Sequence, residues 1–456
     1  MSDSSMRLRP IRGGSLASAP LTADLVEAFS AIRGEPSWLR DLRLRGWETF
    51  STQALPTTRD EGWRRTNLSG LDIDTLLNPP ALLAAALQLA ACVERVLTPN
   101  EDVAGTLVIQ DAAEVRCEID PALVSQGVQV MCLDRAVREL PEQVQRALLS
   151  TRSKSPDLFA GIHQAYLSGG AFVFIPRGVL VEKPIQIVQA ATEPGQSAFP
   201  HTLVVAEAGA DVTILETYCS EDQTGEILVS AGVELLPADG ARIQYINSQE
   251  WHPQAWYFGN MAAGAGRDSF VRWVLSSLGA RLARVTLDAQ LSAQGAETEI
   301  VGLVFGKNDQ HVDQLTLQDH VASRTRSDQL FKAALRDTAS SNFSGLIRVA
   351  EQADQTSSNM EARNLLLSGT AKADTDPRLE ILNSDVERCA HGATVGPMDE
   401  DALFYVMSRG IARDEAQRLI VEAFFAPVLQ RIPVDAVRER IWSAIQGELW
   451  TKHGDE

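Results

Sequence analysis

The chain has 456 residues, 45% hydrophobic and 22% charged, enough apolar material for a sizeable core and about three domains of ordinary size. Its formal charge of −19 and pI near 4.9 argue against a nucleic-acid or anionic-membrane partner, since either favours a basic face. The five cysteines (Cys92, Cys117, Cys132, Cys219, Cys389) are odd in number, widely spaced and form no C-x-x-C pair, the pattern of reduced intracellular thiols.

Met1–Gly14 carries some positive charge with no apolar run behind it, so no secretory signal is expected. The most membrane-like stretch, Ala81–Val93, is shorter than the roughly 20 apolar residues a span requires and includes Gln88. A cytoplasmic protein is expected.

From about residue 20 to 165 the pattern is mainly helical. Leu21–Ile32, Pro36–Thr49, Pro80–Leu97, Asp134–Leu149 and Ser155–Leu167 read as helices, with Trp38 and Trp47 as packing residues on the second. Short β-like runs interrupt them at Gly105–Gln110, Val115–Ile119 and Gly127–Leu133. Near Gly169 the character changes. Short β-branched runs bounded by Gly, Asp or Asn follow: Phe172–Pro176, Ile185–Ala190, Thr202–Ala206, Val212–Thr217, Ile227–Leu236 and Ala241–Ile246. Others lie at Ser269–Leu275, Arg284–Ala289, Glu297–Phe305 and Gly345–Val349.

Gly-Ala pairs start at Gly209, Gly240, Gly264, Gly279 and Gly295, in steps of 31, 24, 15 and 16 residues. Small-residue turns at imperfect intervals fit a stacked solenoid, in which each rung buries a face on its neighbour. Many short strands also fit a sandwich, and the pattern favours the β-helix only modestly. After Pro397 the chain turns helical again. Asp399 can cap Glu400–Ser408, Gly410 suits a left-handed stop, Asp414–Gln430 is amphipathic, and Pro433 opens Val434–Trp450. The expected organisation is a mainly helical region 1–165, a β core 166–397 and a helical region 398–456.

No G-x-x-x-x-G-K-[ST], H-E-x-x-H, G-x-S-x-G or kinase signature occurs, so the common motif-bearing enzyme classes are disfavoured and no nucleotide site is expected. The one compact constellation is Cys389-Ala-His391-Gly392-Ala-Thr394-Val-Gly396. On a strand, period two puts Cys389 and His391 on one face with Cα atoms roughly 6.5 Å apart. Thiolate and imidazole are both good ligands for iron or zinc. A buried, inert cysteine is the plainer reading of such a pair. An iron–sulfur cluster takes about four ligands, and the other cysteines form no cluster motif, so any missing ligands would come from another subunit. His201, His252, His311 and His320 lack metal spacing and are expected at turns or the surface. Cys219 is expected in the core. Asp313 and Asp328 are candidate acid–base carboxylates for a rival reading, a β-helix carbohydrate-active enzyme. Asp374 and Asp376, just before Pro377, read as a turn.

Leu379–Val386, Cys389–Gly396 and Leu403–Ile411 together resemble the C-terminal signature of the SufB/SufD family. Asn342–Gly345, Gln355–Thr356, Asn364–Ser368, Gly170–Pro176, Pro184–Ile185, Glu35–Trp38 and Glu61–Arg64 extend the likeness over most of the chain. Gly392, directly after His391, resembles the SufD branch, since SufB members tend to carry glutamate there. The resemblance implies a mainly β protein, with a right-handed parallel β-helix flanked by helical regions, acting as a non-catalytic scaffold in SUF iron–sulfur cluster assembly. It implies pairing with SufB through late β-helix strands and docking of the ATPase SufC on the C-terminal helices, and it leaves a homodimer open. It implies that Cys389 and His391 help hold iron or a transient iron–sulfur cluster shared with SufB. A SufB-like scaffold is the nearest alternative.

Overall fold

In a computed structural model, residues 22–79, 88–151, 157–432 and 434–450 are described. The amino-terminal helices are α1 Ala23–Ile32, α2 Ser37–Ser51, α3 Ile73–Leu76 and α4 Ala91–Val96. Strands β1 Gly105–Gln110 and β2 Ala113–Ile119 follow, then α5 Pro121–Ser125 and β3 Gln129–Cys132. Helices α6 Leu133–Glu139, α7 Pro141–Ala147 and α8 Leu158–Tyr166 complete the region. The long expected helix over 134–149 is two, because Pro141 cannot donate to the preceding turn and restricts Leu140. Of the helix expected over Pro80–Leu97, 80–87 lie outside the described residues, and Ala91–Val96 is helical. Leu21, Ser155, Pro156 and Pro433 also lie outside them, as does Met1–Gly14.

The solenoid strands run in sequence as β4 Ala171–Ile175, β5 Ile185–Ala191, β6 His201–Ala206, β7 Asp211–Ser220, β8 Leu228–Pro237 and β9 Arg242–Glu250. Next come β10 Trp256–Ala263, β11 Phe270–Ser277, β12 Leu282–Leu291, β13 Glu297–Gly306 and β14 His311–His320. The last are β15 Arg326–Leu335, β16 Ser340–Val349, β17 Thr356–Leu366, β18 Lys372–Ile381 and β19 Val386–Pro397. Odd strands stack in one ten-stranded sheet, β19-β17-β15-β13-β11-β9-β7-β5-β1-β2, and even strands in a nine-stranded sheet, β18-β16-β14-β12-β10-β8-β6-β4-β3. From β4 to β19 all pairings are parallel, and two strands per turn make a β-solenoid of about eight turns. The solenoid rather than the sandwich is the fold.

The turns explain why the Gly-Ala series was irregular. Residues with positive φ stack at one corner as Gly209, Gly240, Asp268, Gly295, Arg324 and Gln355, in steps of 31, 28, 27, 29 and 31. At another corner they are Ala280, Asn308 and Asp337, in steps of 28 and 29. The Gly-Ala pairs sampled both corners and missed Asp268, Asn308, Arg324, Asp337 and Gln355. Backbone bonds join the first column from rung to rung, including Gly209 N to Asp239 O (2.9 Å), Gly240 N to Arg267 O (2.7 Å) and Gln355 N to Asp385 O (2.7 Å).

Inward residues of both sheets form one core running the length of the solenoid. At the first end, β2 and β3 pair antiparallel with β1 and β4, and Leu123 of α5 with Val128 joins the core. This end is closed. Outer faces are covered too. Phe258, Trp256 and Leu228 on the even sheet pack against Trp63, Phe159 and Tyr166. The carboxy-terminal helix α9 Glu400–Met407 packs on α10 Arg413–Leu429, and on the odd sheet Leu215, Val274, Val301 and Leu330 receive α10 and α11 Asp435–Trp450, through residues such as Phe425 and Ile441. Asp399 accepts from the Asp401 and Ala402 amides, and Gly410 has φ 85°, so both expected helix signals are realised. Among the described residues no helix is long and apolar enough to cross a membrane.

The residue pattern did not reveal β10, β14, β15, β17 and β18, and for β14 and β15 a polar interior is the reason. In β14 and β15 the inward side chains include Gln314, Thr316, Gln318, His320, Ser327 and Gln329, all buried. Their mutual hydrogen bonds offset the lost hydration, as between Gln318 Nε2 and Gln329 Oε1 (2.5 Å). His201 and His320, expected at turns or the surface, are also buried. His163 on α8 donates Nδ1–H to Ser230 O (2.8 Å) and faces His201 Nδ1 at 2.9 Å, so this pair joins helix to sheet. Burial pushes His163 down to about 3 and His320 down to about 4. The unfolded chain would protonate these imidazoles near pH 6.5. Their contribution is therefore fully present above about pH 6.5 and is lost as pH falls towards the folded values. Urea unfolding should show a lower midpoint at pH 5 than at pH 7.5; a midpoint unchanged or higher at pH 5 contradicts the buried neutral state.

Candidate functional site

Among the described residues nothing closes the other end of the solenoid. Strands β18 and β19 are the terminal members of their sheets, and each pairs on one side only. Pro377 sits within β18 rather than in the expected turn, at a sheet edge where a missing amide donor is tolerated. Inward positions of this rung lack a further rung to cover them. Ile381 is 43% exposed, Leu382 just beyond it 49%, and Val395 43%.

Cys389 and His391 reach this mouth through an irregularity in β19. Thr356 pairs with Val386, but Ser357 pairs with Arg388, so Glu387 is an extra residue. Beyond the bulge, Cys389 stands over Ser358 and His391 over Met360. Both β17 residues point into the solenoid and are buried, so Cys389 and His391 share the inner face. An unbulged register would align Cys389 with Asn359, on the other face. Cys389 packs half-buried against the core, and burial raises its thiol above the ordinary range. His391 is exposed.

A directed chain of hydroxyls lies behind Cys389. Thr325 Oγ1 donates to Ala322 O (3.0 Å), so it accepts from His320 Nδ1–H (2.8 Å). His320 Nε2 then accepts from Ser327 (2.8 Å), which accepts in turn from Ser358 (2.6 Å). Ser358 has lone pairs left for the next rung, where Cys389 stands. Gly345 makes room for Met360, beneath His391, since a Cβ there would lie 2.5 Å from Met360 Sδ.

Among the described residues no three His, Cys, Asp or Glu side chains converge as a metal site. The other four cysteines lie towards the closed end. Cys219, on β7, is core as expected, and six turns separate it from β19, about 30 Å of stacked strands. Burial pushes Cys117 up to about 11 and raises Cys132 further. Cys389 and His391 thus form a pair of donors beside an unfilled edge.

The carboxylates of the rival reading are structural. Asp313 (even sheet) is fully buried, pairs with Arg284, and accepts from Thr66 Oγ1 (2.5 Å) and Asn342 Nδ2 (2.7 Å). Asp328 (odd sheet) pairs with Arg431 of the carboxy-terminal region at 3.1 Å. They do not face one another across a cleft. Asp374 pairs with Arg65, joining the amino-terminal region to the terminal rung. Beside that rung, α9 leaves Phe404 72% and Tyr405 60% exposed, while Leu403 is buried. A groove of about 760 Å³ runs along α9 and α10, lined by Arg336, Ser368, Pro397, Glu400, Arg413 and Val421.

Residues 187–424 match the family described as SUF system FeS cluster assembly, SufBD core domain. The chain belongs to the SufBD family. Residues 30–187 match the SufBD protein N-terminal region. The chain is 29% identical to the iron–sulfur cluster assembly protein SufD of Bacillus subtilis over 435 residues, covering 93% of this chain and 97% of that one. It is 25% identical to SufB of the same organism over 423 residues, covering 91% and 90%. A SufBD family protein of Staphylococcus epidermidis is 25% identical over 426 residues, with the same coverage. The family is one of SUF-system iron–sulfur cluster assembly, and the resemblance read from the C-terminal motifs holds over both SufBD regions.

Asp313→Ala should lower unfolding free energy by about 3–5 kcal/mol, because it strands the buried Arg284 guanidinium. Asp328→Ala, at a partly exposed pair, should cost about 1 kcal/mol or less. Chemical denaturation of the two variants checks this, and equal costs contradict the assignment.

Proposed function

We propose that this SufBD chain is the SufD-type, non-catalytic scaffold of a cytoplasmic SUF complex. A SufB-type partner completes the open rung, and a SufC-type ATPase docks on the carboxy-terminal helices. The observation that carries this reading is the unpaired terminal rung, with Cys389 and His391 on its inner face. A parallel strand edge with exposed Ile381, Leu382 and Val395 suits strand addition by another solenoid. A second copy of this chain is an alternative occupant of the same edge.

Iron and sulfide are the substrates of such a site, and the cluster is transient cargo. Cys389 would supply a thiolate and His391 an imidazole, while the partner supplies the remaining ligands. Cys389 must lose its proton on binding, so loading should release protons and favour higher pH. The sequence carries no G-x-x-x-x-G-K-[ST] motif, which leaves nucleotide hydrolysis to the partner. Exposed Phe404 and Tyr405 are the proposed anchors for that ATPase. Helix α10 packs directly on β15 and β13, two and three turns from β19, so force on the helices has a short path to the open rung.

Reconstitution with SufB- and SufC-type partners tests the site. Cys389→Ser and His391→Ala should each lower cluster yield by about tenfold or more, while co-elution of the subunits is retained. Normal yield from both variants would remove the shared site. Phe404→Ala with Tyr405→Ala should weaken co-purification of the ATPase and leave SufB-type pairing intact.

A further inference from the structure

Far from the open rung, two free thiols touch. Cys219 Sγ of β7 donates to Cys92 Sγ of α4 at 3.3 Å, and both residues are buried. A disulfide needs about 2.05 Å between sulfurs, so a small inward shift of the helix closes the gap. They lie outside the long core, in a satellite of seven buried residues between α4 and the odd sheet. The helix has six residues, too few to persist without its packing. Among the described residues its attachments are Cys92 N to Glu221 Oε1 (2.8 Å), Ala90 N to Gln110 Oε1 (3.1 Å), and Val96 O accepting from Gln186 Nε2 (3.3 Å) and from Arg440 Nη1 of α11 (2.6 Å). Arg440 Nη2 also reaches Thr217 Oγ1 of β7 (2.9 Å), so helix, sheet and carboxy-terminal region meet beside the sulfurs.

We infer that Cys92 and Cys219 form a latent dithiol site at which a hydroperoxide drives closure to an intramolecular disulfide, pinning α4 to β7. Local opening of so small a cover admits the oxidant. Cys92 Sγ is the acceptor of the Cys219 hydrogen bond, and the attack on the peroxide is assigned to it. Its thiolate breaks the peroxide O–O bond, forming a sulfenic acid and releasing hydroxide, which the displaced thiol proton converts to water. The Cys219 sulfur then attacks the sulfenic sulfur. The S–S bond forms as S–O breaks, and the expelled hydroxide takes the Cys219 proton. Two thiols lose two electrons in all, and one hydrogen peroxide becomes two waters. The bond closes a long chain loop and tightens the junction at Arg440.

The full chain should be treated with hydrogen peroxide at pH 7.5, alkylated and mapped without reduction. The expected product is a Cys92–Cys219 linked peptide with intact mass reduced by two hydrogens. Cys117, Cys132 and Cys389 stay unlinked, and dithiothreitol reverses the change. The melting temperature should rise by about 5 °C on closure. In Cys219→Ser, a dimedone-reactive sulfenic acid should accumulate at Cys92; in Cys92→Ser no link forms. Stable sulfinic acid at either thiol without the linked peptide overturns the inference. So does a link that forms only above the unfolding transition.

Discussion

Each rung of this molecule buries one face of its backbone and side chains on the next, and the rest of the structure depends on how that stacking ends. At the first end the stack is closed by antiparallel β2 and β3 and by Leu123. At the last end nothing in the described chain plays that role, and unpaired amides and carbonyls of β18 and β19 adjoin exposed aliphatic side chains. Such an edge is a liability for a protein that acts alone. It becomes an asset when another chain supplies the next rung.

The same edge gives meaning to two otherwise ordinary residues. Cys389 and His391 would be unremarkable inside the stack, where Ser358 and Met360 hold the equivalent positions beneath them. At the mouth they are half-buried and exposed, one a soft sulfur donor and the other a nitrogen donor. The bulge at Glu387 decides that both face inward. The hydroxyl chain from Ser358 to His320 continues the polar file away from the mouth, and the buried neutral imidazole anchors its far end.

Much of this was legible from residue pattern. Runs such as Ile185–Ala190 and Glu297–Phe305 carry enough β-branched and aliphatic residues to identify strands, and Asp399 and Gly410 delimit α9 correctly. The period-two relation of Cys389 and His391 also holds, since both lie on one face of β19. Other features were hidden for physical reasons. β14 and β15 bury glutamine, serine and histidine, and such polar inward positions erase the alternation that signals a strand. Left-handed corners occupied by Asp268, Arg324 and Gln355 carry no glycine to reveal the rung period. The bulge depends on pairing with β17, which no local pattern encodes. Asp313 stood as a candidate carboxylate for the rival reading because its partners, Arg284, Thr66 and Asn342, come from three distant segments. The assignment to cluster assembly came from family likeness, which composition alone could not supply.

Hydrogen–deuterium exchange of the chain alone and in complex with a SufB-type partner addresses the open rung most directly. Completion by a partner strand predicts that amides in Lys372–Ile381 and Val386–Pro397 exchange quickly in the isolated chain and become strongly protected in the complex. Unchanged exchange there, with protection appearing on another face, would contradict the assignment of this edge as the site where the partner and the shared cargo meet.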